Sequence, residues 1–280
     1  MSIELVEALI LADQMKELLI GKQIESYHLQ NYERMQKVGF LNKNIKDFDQ
    51  LLKGKITSIK ARGNVIHVEL ENNINLLIAP EYGGEILYHK DEKGISKNYH
   101  LKIQFSDDTS LTVRIKSMGC ILALKNDELV NSYMYKRDFL RGISPIENEF
   151  TFERFSKELS ALNRNLKGIL VGKDAILVGI SNSAFQDIIY RAKLFPKRKG
   201  SELNMDETKA LYEAIKALIH ERMKLGGKNQ FIDIYAKKGK YIPAMGPNMK
   251  GKNCPECGTG IEKMSFGGGQ IYLCPSCQKQ

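Results

Sequence analysis

The chain has 280 residues, 42% of them hydrophobic and 27% charged, which excludes a disordered or fibrous class and leaves room for two domains with their own cores. Forty-two Lys and Arg against 33 Asp and Glu give a formal charge of +9; a polyanion whose phosphates release condensed counterion fits that balance, although on charge alone a merely basic surface fits as well. No apolar run approaches the roughly 20 residues that span a bilayer and the N-terminus lacks the order of a signal peptide, so a cytoplasmic protein with no membrane partner is expected.

In chain order, Glu4 to Leu19 place Leu5, Ala8, Leu9, Ala12, Met15 and Leu19 on one face and predict an amphipathic helix. From Lys55 to Leu124 the texture becomes short β-branched or alternating runs: Ile56 to Ile59, Val65 to Leu70, Ile74 to Ile78, Leu101 to Phe105 and Leu111 to Ile115. Turn signals at Gly63-Asn64, Asn72-Asn73, Gly83-Gly84 and Asp107-Asp108 separate them, which predicts a β-sandwich or barrel. Cys120, in a strand with Ile121, reads as buried filling. Gly142 to Asn148 has the composition of a linker. Helices are predicted beyond it at Thr151 to Leu162, around Asp187 to Leu194, and at Asp206 to Leu225.

Cys254-Pro-Glu-Cys257 and Cys274-Pro-Ser-Cys277 flank a spacer of residues 258–273. Two knuckles at that separation match a four-thiolate zinc ribbon, and four thiolates close a tetrahedral shell with no open position, so one structural Zn2+ is expected. Paired disulfides or a redox motif fit a cytoplasmic chain poorly.

Three ordered segments carry a family resemblance over essentially the whole chain. Gly179-Ile180-Ser181-Asn182, followed by Phe195-Pro196-Lys197-Arg198-Lys199, resembles the helix-two-turns-helix element of the formamidopyrimidine-DNA glycosylase and endonuclease VIII superfamily. Ile3-Glu4-Leu5-Val6-Glu7 is similar to the family's opening Pro-Glu-Leu-Pro-Glu, and Cys274 to Lys279 to its closing zinc finger. The resemblance implies an α+β multidomain chain. Its parts are an N-terminal helix with an antiparallel β-sandwich (1–143), a helical helix-two-turns-helix domain (144–250), and a β-hairpin zinc finger (251–280).

In the family the N-terminal proline forms a Schiff base with the deoxyribose and the next glutamate manages protons. Ile3 stands at the proline position here, so the resemblance assigns catalysis to Glu4 and to the Ser2 amine freed by removal of Met1. That amine is displaced by one residue, and direct hydrolysis activated by Glu4, without a lyase step, is the other route. A helix-terminal carboxylate is an equal reading of Glu4. The resemblance further implies phosphate contacts from Asn182, Lys167, Lys197 and Arg198, with Lys60 and Arg62 supporting Asn64 where the family has a lysine. Asn182 also reads as a helix N-cap. Tyr82 and Met118 align with the residues that fill the gap left by an extruded nucleotide.

The expected function is DNA repair: a monomer, associated with the nucleoid, that binds duplex DNA containing a lesion or abasic site and flips the damaged base for N-glycosidic cleavage. A catalytically silent binder of damaged or abasic DNA is the alternative. An unrelated zinc-ribbon adaptor for proteins is a third reading, disfavoured by the helix-two-turns-helix segment.

Overall fold

The computed structural model describes residues 3–81 and 83–279. The chain divides into two compact units, Met1–Leu140 with Gly226–Lys240, and Arg141–Leu225 with Tyr241–Gln280.

The first unit opens with α1 (Leu5–Leu19), which buries Leu5, Ala8, Leu11, Ala12, Met15 and Leu19. The seam takes Leu11 where Leu9 was expected, because positions 8, 11, 12, 15 and 19 follow the i, i+3, i+4, i+7 rule more closely. After it come β1 (Ile24–Leu29), α2 (Glu33–Lys37), β2 (Ile56–Arg62), β3 (Val65–Leu70), β4 (Ile74–Ala79), β5 (Glu85–His89), β6 (Leu101–Phe105), β7 (Ser110–Arg114), β8 (Cys120–Lys125), α3 (Asn126–Leu129) and α4 (Tyr133–Phe139).

The strands form two antiparallel four-stranded sheets, ordered β1-β6-β7-β5 and β2-β3-β4-β8. Ile24, Ile103, Phe105 and Val113 of one sheet share a core with Ile59, Ile66, Leu76 and Ile121 of the other and with Leu11 and Met15 of α1. This is the expected sandwich. β4 is buried along its whole length because alternate residues serve two cores: Ile74, Leu76 and Ile78 face the shared core, while Leu77 and Ala79 join Val65, Cys120 and Leu129 on the other face. Burial pushes the Cys120 thiol up to about 12, as suits a filling residue.

Gly226–Lys240 completes this unit. Phe231 and Ile234 enter the shared core, the Tyr88 N–H donates to the Ile234 carbonyl at 2.9 Å, and the Gln14 amide donates to Asp233 at 2.9 Å.

The second unit contains α5 (Phe152–Ser160), α6 (Leu166–Leu170), α7 (Asn182–Arg191), α8 (Met205–Lys224) and the antiparallel hairpin β9 (Glu262–Phe266) and β10 (Gly269–Leu273). α8 starts on a capping box: Asn204 Oδ1 accepts the Glu207 N–H and Glu207 Oε2 accepts the Asn204 N–H, both at 2.9 Å. α7 begins at Asn182, well before the expected Asp187, and Ser181 is its N-cap, accepting from the Ser183 N–H. The N-cap reading of Asn182 is therefore corrected: Asn182 is the first helical residue and its side chain is released for other contacts. No helix among the described residues is long and apolar enough to cross a membrane.

Candidate functional site

In the first unit the chemistry gathers at the start of α1. Glu4 is its N-cap, in extended backbone, and the Glu4 N–H donates to Glu7 Oε2 at 3.1 Å. Both carboxylates are essentially inaccessible, at 1% and 0% exposure, so the helix-terminal reading describes where Glu4 sits but leaves its charge to be answered. Lys228 answers it: its Nζ lies 2.8 Å from Glu4 Oε2 and 3.7 Å from Glu7 Oε2. The Lys228 N–H also donates to Glu7 Oε1 at 3.2 Å.

Local backbone brings this lysine in. Gly227 adopts φ +86°, and a Cβ there would lie 2.7 Å from the Phe231 ring. A Cβ on Gly239 would lie 2.4 Å from the carbonyls of both Gly227 and Lys228. Glycine at both positions lets two stretches of main chain touch beneath the carboxylates.

Ile3, at the position of the family's proline, is buried, and its peptide N–H donates to the Glu81 carbonyl at 2.9 Å. Ser2 and Tyr82 lie outside the described residues. The β2–β3 turn is the expected Gly63-Asn64 hairpin, with Arg62 paired to Val65. Lys60 is exposed, but Arg62 donates to the Asp138 carbonyl and the Asn64 N–H to Asp138 Oδ2 at 2.8 Å. Asp138 thus organises the turn, and Lys60 is left as its cation turned to solvent. Met118 is 46% exposed at the tip of the β7–β8 connection. Gly119 beside it, at φ +148°, passes so close to the Ala79 carbonyl that a Cβ would sit 2.1 Å away.

In the second unit, three candidates converge on the turn between β9 and β10. Lys167, only 6% exposed, donates from Nζ to the Phe266 carbonyl at 2.6 Å. Asn182 Nδ2 donates to the Gln270 carbonyl at 2.9 Å, while its buried Oδ1 meets no hydrogen-bond partner among the described residues. Lys197, exposed, carries its Nζ 5.7 Å from the centre of the Phe266 ring. Desolvation holds the Lys167 ammonium below the ordinary lysine value. Cβ atoms on Gly267 and Gly269 would come within 3.0 Å and 3.3 Å of the Lys167 side chain, so the glycine-rich turn is shaped to it.

Arg198 was expected to contact phosphate beside Lys197. In the structure it makes a bidentate pair with Glu207, both bonds 3.0 Å, and donates to the Glu202 carbonyl. Its guanidinium draws Glu207 below the usual carboxylate range and braces the turn onto α8. Lys199 pairs with Glu202 more loosely, at 3.8 Å.

The hairpin is welded to α7. Gln186, 1% exposed, donates to the Asn182 carbonyl and accepts the Tyr272 N–H. Gln278 links the Cys274 N–H to the Leu194 carbonyl in the same way. The sulfurs of Cys254, Cys257, Cys274 and Cys277 all lie within 4.8 Å of one another. Cys254 and Cys277 are 3.8 Å apart, and Cys257 and Cys274 3.4 Å. A tetrahedron with metal–sulfur bonds of about 2.3 Å has edges of about 3.8 Å, so the four thiols fit a metal ion. In the absence of an ion the four thiols share their protons unevenly, hydrogen bonding drawing Cys257 down and contact with its neighbours pushing Cys277 up, so it is the sulfur geometry that carries the metal reading.

Sequence reasoning missed Lys228, Glu7, Asp138 and Asp187. Asp187 is wholly buried and accepts from Arg191 Nε at 3.0 Å, the Tyr241 hydroxyl and the Ala244 N–H; an acidic residue set between Phe185 and the pair Ile188-Ile189 was the available signal.

Two families match the chain: the formamidopyrimidine-DNA glycosylase N-terminal domain over residues 3–116 and the formamidopyrimidine-DNA glycosylase H2TH domain over residues 142–232. The chain is 28% identical over 269 residues to a formamidopyrimidine-DNA glycosylase of Bacillus cereus, covering 94% of each. It is 27% identical over 285 residues to one of Halalkalibacterium halodurans, covering 99% of each. Among solved structures, a complex of the Lactococcus lactis Fpg with abasic-site DNA aligns with TM-score 0.84 and 20% identity over 99% of this chain and 100% of that one. The same protein with DNA containing N7-benzyl-Fapy-dG aligns at 0.82 and 21%, with the same coverage. On its sequence motifs, its fold and these matches, the chain belongs to the formamidopyrimidine-DNA glycosylase and endonuclease VIII superfamily.

Proposed function

We propose that the protein is a base-excision-repair DNA glycosylase that binds duplex DNA at a lesion or abasic site, extrudes the damaged base and cleaves its N-glycosidic bond. The observation that carries this reading is the convergence of Lys167, Asn182 and Lys197 on the Gly267–Gly269 turn. Two cations and a side-chain amide aimed at one glycine-rich turn are a site for a phosphate, since backbone N–H groups there can be approached closely. The relatives named formamidopyrimidine-DNA glycosylase, and the Lactococcus lactis complexes with abasic and lesion DNA, support the same substrate class.

In this reading Glu4 is the acid–base group, the exposed Met118 enters the gap left by the flipped nucleotide, and Lys60 adds a phosphate contact. Residues 1–143, completed by Gly226–Lys240, carry the glycosylase chemistry, the rest of 144–250 the helical DNA contacts and 251–280 the metal hairpin. The four cysteines hold one Zn2+, which fixes the hairpin and takes no part in bond cleavage. The protein works as a monomer on chromosomal DNA in the cytoplasm, in keeping with its charge of +9.

The second reading, a silent binder of damaged or abasic DNA, is favoured by Ile3. Its peptide nitrogen is committed to the Glu81 carbonyl and cannot act as the family's terminal amine does. Anisotropy titrations of matched duplexes that are undamaged, abasic or oxidised at one purine, with base release read on the same duplexes, separate the two. Preference for damage with base release supports the enzyme, and preference without release supports the silent binder. Equal affinity for all three duplexes would sink both.

A further inference from the structure

Beneath the N-terminus of α1 the protein has built an amine–carboxylate pair from two distant segments. The Lys228 ammonium is 5% exposed and meets Glu4 Oε2 at 2.8 Å, with Glu7 Oε2 at 3.7 Å. The two carboxylates differ in their distance from the ammonium. Glu7 accepts the Glu4 N–H at Oε2 and the Lys228 N–H at Oε1, which makes it a positioning group for the lysine's own main chain. Glu4 closes the capping box by accepting the Glu7 N–H, and its Oε2 is the carboxylate oxygen nearer the lysine nitrogen. The glycine contacts at 227 and 239 fix the base of the lysine stem. Buried ion pairs are poor sources of stability, because desolvating two charges costs about what their attraction returns. A lysine brought from Gly226–Lys240 into a carboxylate pair is thus better explained by chemistry than by folding.

We propose that Lys228 supplies the amine that the chain lacks at its family position, forming a Schiff base with the deoxyribose of an abasic site while Glu4 manages its proton; this rests on the glycosylase reading above. Lys228 Nζ gives one proton to Glu4 Oε2, and its freed electron pair attacks C1′ of the ring-opened sugar. A C–N bond forms and the carbonyl oxygen takes up a proton, giving a carbinolamine. Loss of that oxygen as water leaves the protonated imine. Glu4, having given up its proton to that water, takes the proton from C2′; the C2′–H electron pair shifts to break the C3′–O bond and release the 3′ phosphate, and hydrolysis of the imine returns the lysine. The sum is an amine-catalysed β-elimination that needs no oxidant or reductant. Positioning explains why an internal lysine can replace a terminal amine: the reaction needs a neutral nitrogen within reach of the carbon and a base beside it, whatever part of the chain delivers them.

The experiment is borohydride trapping of the full-length protein on a duplex with one abasic site, followed by mass-spectrometric mapping of the adduct, beside the Lys228→Arg variant. Arginine keeps the cation opposite Glu4 but forms no stable imine under these conditions. An adduct on the peptide containing Lys228, lost in Lys228→Arg while abasic-duplex affinity persists, is the expected result. Mapping on the unsubstituted protein decides the matter even if the variant folds poorly. An adduct on the N-terminal amine overturns the assignment and leaves the glycosylase reading standing, as does the absence of any adduct while the protein still releases oxidised bases. Failure to bind or act on damaged duplexes at all would count against the glycosylase reading itself.

Discussion

Lys228 Nζ lies 2.8 Å from Glu4 Oε2, although 224 residues separate the two in sequence. The contact sets a buried cation against two buried carboxylates at the first turn of α1, so removing the cation and removing the whole pair have different costs. Lys228→Ala leaves Glu4 and Glu7 without their ammonium and should destabilise the protein by about 3–5 kcal/mol. The double variant Glu4→Gln, Lys228→Met should recover much of that loss. Urea unfolding of the three proteins checks this, and a double variant no more stable than Lys228→Ala would show that the pair is not the source of the cost.

Adjacent residues Lys197 and Arg198 should behave differently in DNA binding. Lys197→Ala removes an exposed cation near the β9–β10 turn and should lower the slope of log affinity against log salt by about 0.9. Arg198→Ala loses its bidentate pair with Glu207 and should cost about 1 kcal/mol of stability with little change in slope. Salt titrations of duplex affinity on both variants distinguish them; equal slope changes would return Arg198 to the DNA contact set.

The same pair predicts a pH window. The Glu207 carboxyl is lowered from its ordinary value of 4.5 by Arg198, so the unfolded chain binds its proton more tightly than the folded one. The stabilisation is therefore fully present above that ordinary value and is lost as pH falls through the lower folded value. Acid unfolding of the unsubstituted protein against Arg198→Ala should show the two curves converging in that range.

Lys167 titrates below the ordinary lysine value of 10.5 because it is desolvated. If it holds a phosphate, duplex affinity should begin to fall at an alkaline pH lower than an exposed lysine would give, as the ammonium loses its proton. Lys167→Ala should weaken binding at neutral pH and abolish that alkaline component. Affinity measured from pH 7 to 10 tests this, and identical profiles for the two proteins would remove Lys167 from the interface.

If the four thiols hold one metal ion as proposed, replacing Cys274 by Ser should lower the metal content from one equivalent, loosen the cluster of Tyr190, Met245, Cys254, Tyr272 and Cys274, and weaken duplex binding by tenfold or more, since that ion would fix the hairpin bearing the Lys167 and Asn182 acceptors. Elemental analysis with parallel binding curves reads both. A metal-free variant with unchanged DNA affinity would separate the metal from the interface.

Much of this was written in local sequence. The cysteine knuckles fall at a spacing that places four sulfurs together, and β3, β4, β6 and β7 show β-branched runs bounded by turn residues. β1 and β5 gave weaker patterns because only Ile24 and Ile86, respectively, are fully buried in them. The resemblance pointed to Asn182, Lys167 and Lys197, and the fold brings all three to the β9–β10 turn.

The fate of Arg198 was not legible, since its neighbour Lys197 has the same charge and the same local context. Glu207, on a separate helix, decides which of the two cations remains available. Lys228 was hidden more deeply: Gly-Gly-Lys-Asn-Gln reads as a polar connection after α8, and no periodicity marks it.

Sequence alone therefore determined the features whose physics is short-ranged: the amphipathic face of α1, the strand alternation, the thiol spacing and the net charge. Tertiary structure alone decided which charges are answered and by what. Folding returns Gly226–Lys240 to the first unit and sets an ammonium at Glu4, because an electrostatic partner is chosen by distance in space and by exclusion of water, neither of which is encoded by separation along the chain.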